Sequence, residues 1–145
     1  MGPLLESWRF WALLAAVFAA ATAILTKVGV SGVGADAATF VRTAVVLLLA
    51  GAILAFTGQV QDLAALSGRS LLFLVLSGLA TGASWLCYVR ALSLGDAAKV
   101  APLDKLSVVL VALFGALLLG ESLSPLAWTG VGLIAAGAML VAYAG

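Results

Sequence analysis

Five long apolar stretches follow one another along the chain, each separated from the next by a short cluster of glycine, serine or charged residues. A helix crossing the hydrocarbon core of a bilayer needs about 20 apolar residues. All five stretches reach that length, at about 8–28, 37–57, 70–92, 97–119 and 125–143. The pattern predicts an all-α membrane protein of five transmembrane helices.

The breaks between the spans carry the chemistry of turns. Gly29 to Asp36 (GVSGVGAD) is turn-forming, with Asp36 placed to cap the second helix. Gly58 to Arg69 is the longest polar break. Its Val60, Leu63 and Leu66 recur at helical spacing, so a short interfacial helix is the alternative to an ordinary connecting loop. Ser93 to Asp96 is a tight connection ending in a capping residue, and Glu121 to Ser124 is another. Pro125 then falls at the first position of the fifth helix, where proline is favoured. Pro102 lies inside the first two turns of the fourth span, where a missing backbone donor bends or breaks a helix. Trp8 and Trp11 are placed as interfacial anchors, and Lys27 can snorkel at the far end of the first span. The first span is flanked by Glu6 and Arg9 and exceeds the apolar length of a secretory signal, so it is expected to remain in the mature protein. Gly78 and Gly82 form a small-xxx-small pair, with Trp85 on the same stripe. Gly130, Gly132 and Gly137 make the fifth span the one richest in small residues, as suits a packing helix within one subunit or between two.

Composition turns the class from expectation to near necessity. The 145 residues are 65% hydrophobic and 9% charged, with a mean hydropathy of +1.27. Soluble domains carry about 25% charged residues. A net charge of +1 argues against nucleic acid or a polybasic lipid-surface role, either of which needs clustered Lys and Arg. Cys87 is alone and histidine is absent, so no disulfide framework, metal cluster or cofactor is expected. An odd number of spans puts the termini on opposite sides. One side then holds Arg9 and Arg69, the other Lys27, Arg90 and Lys99. So small a difference gives the positive-inside rule little to act on, and insertion in both orientations fits it as well as one weakly biased topology.

Charges inside the spans are the candidate chemistry. The stretch Gly95 to Glu121 holds Lys99, Asp104 and Lys105 in its first third, with Asp104 about 12 Å in from a helix start near Asp96. Arg42 lies more than a turn inside the second span and enters from the same side. Charges at such depth usually face a bundle interior or a wet cavity. Arg42, Asp104 and Lys105 therefore form a candidate substrate and proton site, in which one member of the Asp104–Lys105 pair meets Arg42. The competing reading is a structural ion pair that fixes helix register. Trp85 and Tyr88 are candidates for an aromatic binding surface, with simple helix packing as the alternative. Lys99, nearer the helix end, reads as a snorkelling lysine and Glu121 as a turn or interface carboxylate.

Several short motifs share an order with a known domain. Ala91-Leu92 at the end of the third span, AAKVAP over 97–102, Leu119-Gly120-Glu121 and GVGLIAAG over 130–137 resemble the second part of an EamA domain, the repeat unit of the drug/metabolite transporter superfamily. ATFVR over 38–42 resembles that domain's second helix, whose start carries an arginine. The resemblance covers almost the full length. It implies five-helix repeats in inverted topology around a central substrate cavity. A chain with one repeat then implies two copies, most simply an antiparallel homodimer of ten helices like the small multidrug resistance proteins. Those proteins carry a membrane-embedded glutamate in the first helix, and no acidic residue stands in the first span here. With Arg42 and Lys105 cationic, an anionic or zwitterionic metabolite fits better than a drug cation. The expectation is a multi-pass inner-membrane protein of a prokaryote, a proton-coupled exporter of small metabolites or drugs. The alternative is a non-transporting membrane subunit that stabilises or regulates a partner protein; an enzyme is not expected, since no nucleophile–base pair or metal constellation is legible.

Overall fold

A computed structural model describes residues 7–144 of the chain. Five helices in it are long and apolar enough to cross a membrane: α1 (Trp8–Gly29), α2 (Ala35–Phe56), α3 (Gly68–Leu94), the pair α4 (Ala97–Asp104) and α5 (Leu106–Leu118) acting as one interrupted span, and α6 (Pro125–Tyr143). No strand occurs among the described residues. Most large apolar side chains are exposed, from Phe18 and Phe40 to Leu118 and Leu126. That is the surface lipid requires and water does not tolerate. The protein is a multi-pass all-α membrane protein.

Two compact units make up the chain. One is Thr26–Ser93; the other gathers the chain up to Leu25 and from Leu94 onward.

The unit Thr26–Ser93 holds the end of α1, all of α2 and nearly all of α3. Gly32, at φ +77°, lets the turn after α1 take the left-handed backbone that other residues resist. Gly34 is the N-cap of α2, and Asp36, the expected cap, sits inside the first turn with its carboxylate 3.9 Å from the Arg90 guanidinium. Within α2, Thr39 and Thr43 donate to the carbonyls of Ala35 and Thr39, both at 2.8 Å, so neither hydroxyl is left unsatisfied in the apolar phase. The long polar break contains a five-residue 3-10 helix, Gln59–Leu63, entered through Gly58 at φ +72°. It is exposed throughout, a compromise between the loop and the interfacial helix that the spacing allowed. Ser67 caps α3, its Oγ accepting from the Ser70 N–H at 3.1 Å. Buried positions of the unit gather toward one end: Thr26 and Val30 at the close of α1, Thr39 in α2, and Val89 and Leu92, both without exposed surface, near the close of α3. Lys27, at the end of the first span, donates from Nζ to the Leu92 carbonyl at 2.8 Å. That carbonyl is one of the last four of α3, which have no partner inside the helix.

In the other unit, α4 and α5 pack against α6. Asp96 is the N-cap of α4; its carbonyl, rather than its carboxylate, accepts from the N–H groups of Lys99 and Val100 at 2.9 Å. The Ser124 Oγ accepts from the Ala127 N–H at 3.2 Å and Pro125 opens α6, as the sequence predicts. Gly115 and Ala138 are buried here.

Candidate functional site

The fourth span breaks at Lys105, three residues beyond the proline that foretells an interruption. Pro102 has no N–H to offer the Ala98 carbonyl. The ladder then tightens: Lys105 N–H reaches the Pro102 carbonyl at 3.0 Å, and Val108 N–H reaches the Lys105 carbonyl at 2.9 Å. These are bonds across three residues instead of four, the mark of a 3-10 step. Asp104 ends α4 and Lys105 is the joint, so the two charges occupy the interruption itself. The Lys105 Nζ lies 3.3 Å from the Asp104 carboxylate. Adjacent helical positions diverge by 100°, yet the four-carbon lysine stem spans that divergence. The Lys105 and Asp104 side chains are 54% and 36% exposed.

Arg42 behaves differently. Its guanidinium lies over the Trp85 indole, 5.5 Å from the ring centroid, an interaction between the first half of α2 and the second half of α3. Its Nη1 is buried and has no hydrogen-bond partner. Within its own unit the partner of Arg42 is an aromatic face, and within the other unit Asp104 lies by Lys105. Tyr88, one turn on from Trp85 and half-buried like it, shares that side of α3.

The predicted packing glycines have open space around them in their own units. A methyl built on Gly78, Gly82, Gly130, Gly132 or Gly137 meets nothing of its own unit within 4 Å. Gly115, by contrast, has a close neighbour: a Cβ there would stand 2.7 Å from the Glu121 Oε2. Gly120, at φ +69°, turns the chain so that the Glu121 N–H also reaches the Gly115 carbonyl at 3.1 Å. Sequence reading places Glu121 in a turn but misses Gly115, because only the reversal at Gly120 brings a residue six positions later over it.

Comparison with known proteins decides what this arrangement belongs to. The model of the EamA-like transporter family matches residues 6–143. The chain belongs to that family. A Sinorhizobium protein described as "Uncharacterized transporter in cobO 3'region" is 61% identical over 137 residues, covering 94% of this chain and 97% of its own length. No solved structure matches the EamA chain significantly. The 145 residues hold five membrane-length helices and one repeat of the family. It is a membrane transporter of the drug/metabolite kind.

Proposed function

We propose that this EamA chain is a proton-coupled exporter of small metabolites or drugs in the inner membrane, working by alternating access as an antiparallel homodimer. The observation that carries the reading is the interruption of a largely apolar span at an Asp–Lys pair. Transporters of the inverted-repeat plan place substrate and coupling ions at broken helices near the midplane, between two repeats. One EamA repeat supplies one such helix, and a second copy in opposite orientation supplies its counterpart. Asp104 is the proton carrier in this scheme. Ionised, it holds Lys105; on taking a proton from one side it loses that attraction, and Lys105 is released to face substrate or water. The uncovered glycine faces Gly78/Gly82 and Gly130/Gly132/Gly137 support assembly, because small residues let helix backbones of two copies approach closely.

Flux into liposomes under an imposed pH gradient tests the reading. Asp104→Asn is expected to abolish gradient-driven accumulation while leaving downhill exchange. Equal transport by the variant and the wild type at every pH removes Asp104 from the coupling role.

A further inference from the structure

We infer that the Arg42 guanidinium is the docking point for an anionic group, carboxylate or phosphate, carried by the transported molecule, with Trp85 as the surface that holds the guanidinium in place. The inference rests on the transporter reading of this site, and it names the charge class of the substrate.

Three observations combine. Arg42 is the eighth residue of α2, about 10 Å in from Ala35. Its guanidinium is held at a ring nine residues, or about 13 Å, before the end of α3. Second, Arg42 enters no ion pair with a described residue of its own unit, in which Asp36 lies by Arg90. Third, the ring contact answers only part of what the guanidinium needs. A π face attracts the positive charge, but it accepts none of the five N–H donors in the way an oxygen does. The Nη1 group is buried without an acceptor. The hydroxyls one turn to either side do not serve it: Thr39 and Thr43 donate to carbonyls of their own helix, and neither accepts from Arg42.

A planar fork of donors at membrane depth, charged, backed by an aromatic ring and lacking an oxyanion, matches carboxylate and phosphate geometry. A cationic drug gains nothing there. Tyr88, on the same side of α3, adds an aromatic neighbour for the body of the molecule. The depth argues for a soluble anion over a lipid headgroup, whose phosphate sits at the helix end about 10 Å from Arg42.

Binding can be read without flux. Trp8, Trp11 and Trp128 are replaced by Phe, and the chain is placed in zwitterionic nanodiscs so that Trp85 reports alone. Benzoate and inorganic phosphate are titrated, with choline as the cationic control. At least one anion is expected to perturb Trp85 emission saturably, choline is not, and Arg42→Gln is expected to weaken the response by about ten-fold or more. Arg42→Lys keeps the charge but loses the fork, and is expected to retain weakened binding; it answers the question if the glutamine variant does not fold. No response to either anion, equal binding by Arg42→Gln, or an equal response to choline overturns the proposal. A response that appears only on adding phosphatidylglycerol assigns Arg42 to a headgroup and overturns it too. So does anion binding that appears only with Asp104→Asn, since a carboxylate then occupies the fork. Anion binding with no proton-coupled flux would sink the exporter reading while sparing this one; coupled flux of a cation without anion binding would do the reverse.

Discussion

A single backbone angle sets the shape of the turn after α5. Gly120 lies at φ +69°, a region that costs a residue bearing a Cβ about 1–2 kcal/mol. Gly120→Ala is therefore expected to destabilise the protein by that amount in detergent unfolding, and Gly120→Asn by less. Gly115→Ala, although its new methyl meets the Glu121 carboxylate, displaces only the exposed tip of a flexible side chain and gains helix propensity. It is expected to stay within about 0.5 kcal/mol of wild type in the same measurement. At this scale the sequence is only partly readable. It locates the membrane-depth charges, because Arg42, Asp104 and Lys105 interrupt apolar runs. It does not say which partner each selects. Asp104 takes the cation adjacent to it in the chain, and Arg42 takes a ring some forty residues away on another helix.

At the scale of elements, hydrophobic runs are a strong signal because a bilayer leaves helices few alternative lengths. Helix ends are a weaker one. Asp36 has capping chemistry, yet Gly34 already supplies the extended backbone of the cap, and the Asp36 side chain turns to Arg90 instead. Proline marks the fourth span as interrupted, but the ladder gives way only where bonds across three residues accumulate, at Lys105. Pro102→Ala restores an N–H to the Ala98 carbonyl and is expected to make Ala97–Leu118 a continuous helix. Spin labels at positions 100 and 110 should then report a longer, narrower distance distribution, with substrate flux falling several-fold at unchanged protein level. An unchanged distribution would show that the charged pair, not the proline, makes the break.

At the scale of the whole molecule, the sequence predicts five spans and a family, and both are found, because hydropathy and motif order survive without knowledge of contacts. What assembles around a single repeat is not encoded in any one span. The near-balance of Lys and Arg between the two sides is the feature that bears on it. Single cysteines placed at either terminus of a Cys87→Ser chain are each expected to react from both faces of the membrane. One-sided labelling would end the antiparallel arrangement.

The joint at Lys105 leaves two stubs where one rod would be expected. Eight residues of α4 extend about 12 Å and thirteen of α5 about 20 Å, each less than the roughly 30 Å of hydrocarbon they jointly cross. In the alternating-access scheme proposed above, one leaflet's portion would lean outward while the other stays upright, widening a mouth on one face without loosening the seal on the opposite face. The pivot of that movement would be a single lysine long.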